Sequence, residues 1–389
     1  ASSTATTSSV PHIVSSLVQA SNVKGADELT ATAGTELDLD LGADHQASAS
    51  ATTVEHRADA IAAAYGLGVD RSEGISGTAM TVNARGGVDA STTSGSKNMV
   101  ANADGVVEAA ASRDSSFIAG TSLDVDAAGS ATQSVAAENV SGLATGNLTS
   151  RVYGIDDANV TDAAADGITA GSSLDLNVSS QGSNSASAES VGRDDLGSFS
   201  LINSGSSTTD KITTTLFGND FPLIGGDVIR FKTTGGGVDA GRDYYVINPI
   251  ANDNDSAAPT VFFGSFQVAT TPGGEVIDIS TDVSLEAFRP AEATADGLAL
   301  ATGVQLADGI TAGGSLDAAI DASQSVTVSA SSVNGGATAG LNRLGANDDL
   351  NTDAVSRVTG SETTSFVVGT DGTVSASAML DGSVTSSSI

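Results

Sequence analysis

The 389-residue sequence has no cysteine and no tryptophan, and its aromatic residues amount to only 4%. Without cysteine the chain has no disulfide, no thiolate metal site and no cysteine nucleophile. Large side chains are too rare to fill the thick core that an enzyme of this length usually has. Small and β-branched residues suit thin, closely stacked layers of strands instead.

Basic residues are scarce as well. Fifteen lysines and arginines face 47 aspartates and glutamates, which gives a formal net charge of −32. Nucleic acids and anionic membrane surfaces both require a basic face, so neither is expected as a partner. No apolar run approaches the length of a transmembrane helix, so membrane insertion is not expected either. A charge of this size is best tolerated where salt screens it, which favours a saline exterior.

The sequence begins at Ala1 without methionine, and no basic segment followed by an apolar one opens it. A removed leader or an excerpt of a longer precursor would each explain this beginning. Both explanations fit an exported protein. We therefore expect an extracellular or cell-surface location.

A short motif recurs along the chain, in which glycine and small residues precede an alternation of the Leu-Asp-Leu type. Alternation with period two, bounded by Gly, Ser and Asp, predicts β-strands. Such a unit cannot bury both faces alone, whereas stacked neighbours can. The sequence therefore predicts an all-β fold of degenerate repeats of about 43–51 residues, stacked either as a β-solenoid or as small antiparallel sheets. The residues that set the phase are Leu37, Met80, Leu123, Leu174 and Leu316, at spacings of 43, 43, 51 and 142.

The spacing of 142 holds one repeat and an insertion with a different composition. Ten of the 14 aromatic residues lie between Phe199 and Phe288, and five of the six prolines lie between Pro222 and Pro290. Short apolar runs joined by Gly-rich turns in this segment predict a small sandwich or barrel. The predicted organisation is an N-terminal assembly segment (1–22), a repeat array (23–195), the inserted β-domain (196–290), and a continued array with a C-terminal strand segment (291–389).

Four stretches of the insertion follow one another in a distinctive order. They are Gly-Gly-Asp-Val-Ile-Arg-Phe at 225–231, Gly-Arg-Asp-Tyr-Tyr-Val-Ile at 241–247, Phe-Gln-Val-Ala at 266–269, and Pro-Gly-Gly-Glu-Val-Ile-Asp at 272–278. Residues 210–280 resemble a small β-module of bacteriophage tail and fibre-associated proteins, which is also found in bacterial surface proteins. The flanking array resembles the acidic Ala/Gly/Ser/Asp-rich repeats of surface proteins from marine bacteria and cyanobacteria. Both resemblances imply a structural or displayed protein.

Catalytic motifs are not evident. The three histidines, His12, His45 and His56, show no zinc-binding spacing, and no nucleophile-elbow serine or phosphate-binding loop is present. The chain is therefore predicted not to be an enzyme, and no motif requires a cofactor. Ca²⁺ is the one candidate ligand, because two loops cluster hard oxygen donors. The candidate metal-ligating residues are Asp253, Asp255, Asp348 and Asp349.

The terminal segments read as apolar strands, and unpaired strand edges recruit further strands. The predicted function is a structural subunit of an extracellular fibre, with itself as head-to-tail partner and cell-surface glycans as a second candidate partner. A bacteriophage tail fibre or receptor-binding protein is the alternative, and a polysaccharide depolymerase is a third. The candidate assembly residues are Val10, Ile13, Val14, Leu17, Val18, Val374, Leu380 and Val384.

Overall fold

The architecture comes from a computed structural model, and its described part contains strands and no helix. This confirms the predicted all-β class. The described residues are 2–6, 13–32, 36–76, 78–140, 142–156, 167–192, 194–202, 210–214, 223, 225–250, 264–306, 308–333, 335–341, 357–362 and 364–388.

Fifteen of the strands belong to one hydrogen-bonded sheet. Two of them are unusually long and run through both layers described below. The strands are β1 (Ser2–Thr6), β2 (Ile13–Leu29), β3 (Asp38–Ser76), β4 (Ala79–Ala119), β5 (Leu123–Asn139), β6 (Leu143–Asp156), β7 (Ile168–Ala170), β8 (Leu174–Ser190), β15 (Ala291–Gln305), β16 (Ile310–Ala312), β17 (Leu316–Ser332), β18 (Gly335–Leu341), β19 (Arg357–Glu362), β20 (Phe366–Val368) and β21 (Gly372–Ser388).

Every described pairing within this sheet is parallel. The alternative of stacked small antiparallel sheets is therefore wrong for the array. Parallel neighbours need a crossover between them, and here each crossover includes a strand of the opposite layer, such as β6 between β5 and β8. β5, β8, β17 and β21 follow one another in this order across the sheet.

The strands form two layers that pack face to face. Layer A comprises β1, β5, β8, β17 and β21 with residues 38–54 of β3 and 79–94 of β4. Layer B comprises β2, β6, β7, β15, β16, β18, β19 and β20 with residues 57–76 of β3 and 100–119 of β4. Burial alternates along strands that have a neighbour on both edges, such as β5 and β17, because successive side chains point to opposite faces.

The core between the layers changes in character along the strands. One cluster consists mainly of alanine, including Ala60, Ala90 and Ala295. The other contains larger side chains, including Phe117 and Leu174. Small side chains allow close packing between the layers at the alanine end, and this explains how a chain with few large residues buries a core there.

The predicted repeat phase is right in part. Leu123, Leu174 and Leu316 lie side by side in neighbouring strands, as the motif predicted. Met80 instead lies beside Leu39 and Val125, two residues from its predicted alignment. A shift of two keeps the side chain on the same face, so the apolar pattern alone does not distinguish the two registers.

The aromatic-rich segment forms a closed antiparallel barrel of six strands that leaves the array after β8 and returns to it at β15. Phe199 and Phe266 meet edge to face in its core, with ring centroids 5.4 Å apart. Val100 and Leu143 of layer B pack against the same cluster. The barrel strands are β9 (Asp194–Ile202), β10 (Lys211–Thr214), β11 (Val228–Phe231), β12 (Asp243–Ile250), β13 (Gly264–Ala269) and β14 (Val283–Arg289).

Candidate functional site

β21 presents its core-facing side to solvent. It pairs along its whole length with β17, so that Val384 lies beside the buried Val328. Every residue of β21 is nevertheless exposed. Val374, Leu380 and Val384 are 45%, 42% and 48% exposed, because only β18 and β19 of layer B lie against β21 and no described strand of layer B follows it.

Side chains on the outer surface hold β21 to β17. The Thr373 hydroxyl donates to Asp317 Oδ1 at 2.7 Å, and the Ser383 hydroxyl donates to Thr327 Oγ1 at 3.2 Å. The strand is thus fixed in register, while no described strand pairs along its other edge. A long, ordered edge with apolar side chains is a template for a further strand.

The opposite end of layer A is covered only in part. β1 pairs with residues 48–52 of β3, and no described strand pairs along the same edge of residues 38–45. Following the pairings through β4, β5, β8 and β17 places Ser2 of β1 in the same column as Ser383 of β21. β1 and the end of β21 therefore occupy equivalent positions at the two ends of the layer.

The other predicted assembly residues lie in different surroundings. Ile13 and Val14 begin β2, which pairs with β3. Leu17 is 69% exposed on the outer surface of layer B, whereas Val18 is 6% exposed in the core. Val10 and the four predicted metal ligands, Asp253, Asp255, Asp348 and Asp349, lie outside the described residues.

Aspartates follow one another where the strands of layer A begin. Asp124, Asp175 and Asp317 are neighbours in register, and they line a groove of about 640 Å³. Partial burial and the nearby Asp126, Asp175 and Asp38 raise the pKa of Asp124. Among the described residues, no group of three histidines or carboxylates is arranged to hold a metal ion.

A cluster of paired charges lies on the outer side of layer B, around Arg113. Arg113 donates to Glu108 Oε1 at 2.5 Å through Nη2 and to Asp156 Oδ2 at 3.3 Å through Nε. Its guanidinium lies 5.9 Å from the centroid of the Tyr153 ring, and Arg151 Nη1 is 3.7 Å from Glu108 Oε2. The paired side chains therefore restrain one another in a single arrangement.

Asp156 is the most perturbed of these carboxyls. Burial raises the pKa of Asp156 to about 6, against the opposing effect of Arg113, and the nearby Asp114 and Glu108 raise it further. A raised pKa means that the folded state binds this proton more tightly than the unfolded state does. The resulting stabilisation is absent above about pH 6 and grows as the pH falls towards the unfolded value near 4.

Replacing Asp156 with asparagine should remove this dependence. His45, whose pKa is lowered by burial, opposes the effect in wild type, because its stabilisation is lost as the pH falls through about 6.5. His45 is present in both wild type and Asp156→Asn, so its contribution cancels when the two proteins are compared. The advantage of asparagine over aspartate in the free energy of unfolding should be about 2 kcal/mol larger at about pH 7.5 than at about pH 4.5. Urea unfolding at both pH values measures it, and an equal difference at both would refute the assignment.

Sequence analysis missed this cluster, although a signal for it exists. Asp70, Arg113 and Asp156 recur at a spacing of 43, and so do Tyr65, Glu108 and Arg151. Each set lies side by side in neighbouring strands. The repeat period applied to charged residues, and not only to apolar ones, would have predicted both columns.

Comparison with known proteins identifies no relative. No protein family matches the chain, and neither a curated protein nor a solved structure is similar to it. The described part of the chain has no helix that is long and apolar enough to cross a membrane.

Proposed function

We propose that the protein is a non-enzymatic structural subunit of an extracellular or cell-surface fibre, built as a β-solenoid that associates end to end. The exposed, core-facing side of β21 is the observation that carries this proposal. In a stack of parallel strands, such a side is covered wherever a further layer B strand follows. β21 receives such contacts from β18 and β19 alone, and no described strand follows it.

The partner that fits this edge is the first part of a second copy. β21 pairs with residues 38–53 of β3 in the next copy and takes the place of the short β1. Ser383 and Ser2 lie in the same column of layer A, so Ser383 of one copy takes the position that Ser2 holds beside β3 of the next copy. Residues of β2 in that copy then cover Val374 and Val384. The pairing of β3 with the five residues of β1 is thereby replaced by a pairing with β21, which is more than three times as long.

The two ends of the stack differ, because β21 is the last strand of layer A at one end, whereas β1 and β3 are at the other. An interface between unlike ends is heterologous, and it continues into a filament unless the rotation between copies closes a ring. The association is therefore expected to have no fixed size. A closed trimer would favour the bacteriophage-fibre alternative instead.

The net charge of −32 opposes contact between two copies at low salt. Salt screens this repulsion, and the Debye length falls to about 3 Å at 1 M. Apolar burial is not weakened by the same change. Filament formation should therefore increase between about 20 mM and about 0.5 M NaCl, which is the condition of a saline exterior.

Two aspartate substitutions in β21 test the interface. Val384→Asp places a charge on the core-facing side, while Thr385→Asp places the same charge one residue along, on the outer surface. Sedimentation velocity and negative-stain microscopy at about 0.5 M NaCl should show filaments for wild type and for the Thr385 variant, and single copies for the Val384 variant. Equal assembly of both variants would sink the proposal.

Deleting residues 1–6 tests the exchange of strands. Without β1, the edge of β3 is open before the copies meet, so assembly should begin at a protein concentration about tenfold lower. Light scattering across a concentration series measures this threshold. A threshold that rises after the deletion would show that β1 forms the interface instead of occupying its place.

A further inference from the structure

A cavity of about 420 Å³ opens between β2, β3 and β4 on the outer surface of layer B. The pairing of the strands brings unlike side chains to its wall: Tyr65 lies beside Glu108, and Asp70 lies beside Arg113. Lys24 reaches the wall from β2. A cavity of this size is at the lower end of the range for small-molecule sites.

The charges around the cavity are already paired. Lys24 Nζ lies 3.0 Å from Asp27 Oδ1 and also contacts the Asp70 carboxylate. Arg113 bridges Glu108 and Asp156 on the opposite side. With Arg151, three cations meet four carboxylates here, so the surroundings are nearly neutral in a chain with a net charge of −32. Paired charges hold donors and acceptors in fixed directions without a strong net field.

This chemistry selects against charged ligands. An anion would meet the negative field of the whole chain and an excess of one carboxylate. A cation would compete with the ammonium and guanidinium groups that already occupy the carboxylates. A neutral ligand rich in hydroxyl groups suits the same wall, because carboxylates accept from hydroxyls while Lys24 and Arg113 donate to them.

The cavity also offers an apolar surface. Val23, Tyr65 and Leu67 line it, and each is partly exposed. A pyranose ring has this dual character, since its hydroxyls lie at the rim and its C–H bonds form an apolar face that packs on an aromatic ring. We propose that this cavity binds one neutral sugar residue, with Tyr65 packing on the ring and Glu108, Asp70, Lys24 and Arg113 holding its hydroxyls. The site does not depend on end-to-end association.

Neutral methyl glycosides of glucose, galactose and mannose are suitable probes. In ¹³C-methyl spectra of the whole chain, one or more of them should shift the methyl signals of Val23 and Leu67, with saturation in the millimolar range. Glucuronate and glucosamine, which carry charge, should bind at least about tenfold more weakly than the best neutral glycoside. If the natural ligand is the terminal sugar of a glycan, an oligosaccharide ending in that sugar should bind more tightly than the monosaccharide. If the natural ligand is a free sugar, the oligosaccharide should bind no better.

Variants distinguish this cavity from general surface binding. Tyr65→Ala should weaken binding at least about tenfold, whereas Tyr245→Ala, at a half-buried tyrosine of the barrel outside the cavity, should leave it unchanged. Lys24→Gln, on the outer surface of β2, is a second variant that should also weaken binding. It tests the cavity if Tyr65→Ala does not fold. The proposal is overturned if no neutral glycoside shifts the two methyl groups at about 20 mM, or if folded Tyr65→Ala or Lys24→Gln binds as wild type does.

Discussion

Replacing Asp227 with alanine is expected to destabilise the barrel by about 3–5 kcal/mol, because the change removes a carboxylate from a buried guanidinium. Arg289 is 0% exposed and Asp227 is 6% exposed, and Arg289 Nη2 donates to Asp227 Oδ2 at 2.7 Å. Water cannot replace the lost carboxylate as it would at the surface. Hydrogen exchange of amides in β11 and β14 should accelerate by roughly 10²–10⁴-fold.

The matched control removes an exposed partner from another arginine of the same barrel. Asp243 pairs with Arg230, but their side chains are 40% and 26% exposed. Asp243→Ala should therefore cost about 1 kcal/mol or less. Asp227→Asn keeps an acceptor of similar shape and should fall between the two. Equal effects of the two alanine variants would show that burial does not govern the Asp227–Arg289 pair.

The fold class followed from the sequence because alternation with period two is a local signal. Leu174 and Leu176 are buried while Asp175 between them is exposed, as the alternation predicts. The direction in which strands pair is not local. A parallel and an antiparallel neighbour both satisfy the same alternation, so the sequence left the solenoid and the stacked antiparallel sheets as alternatives. The parallel pairing is what the structure adds.

The register was harder to predict than the presence of strands. Shifting Met80 by two residues conserves every inward and outward position, so hydrophobicity gives no penalty. Only the observed pairing distinguishes the two registers, and it places Met80 beside Leu39 and Val125.

The candidate sites also differ in whether the local sequence predicts them. An apolar edge strand can be predicted from its own sequence, and Val374, Leu380 and Val384 are candidates on that basis. The cavity beside Tyr65 requires three strands at once. Lys24, Tyr65 and Glu108 are 41 and 43 residues apart. None of them belongs to a short motif, and only Tyr65 and Glu108 are separated by the repeat spacing of 43.

Gly129 illustrates how strongly the facing layer constrains a single position. It lies in β5 between Ala84 of β4 and Ser180 of β8, so its neighbours in the same column have a Cβ. A Cβ built on Gly129 would meet the backbone oxygen of Tyr153, in the facing layer, at 2.1 Å. Tyr153 belongs to β6, whose backbone is fixed by two neighbouring strands. The two layers would have to separate to admit one methyl group.

Gly129→Ala is therefore expected to destabilise the stack by about 3 kcal/mol or more, at the upper end of the cost of overpacking, because the obstacle is backbone and not a flexible side chain. Gly120→Ala is the matched control, since a Cβ there would meet nothing within 4 Å. That variant should change the free energy of unfolding by less than about 0.5 kcal/mol. Thermal and urea unfolding of both proteins measure the difference. If the Gly129 variant were as stable as the Gly120 variant, the two layers could separate easily enough to admit a methyl group. That result would contradict close packing between the backbones of β5 and β6.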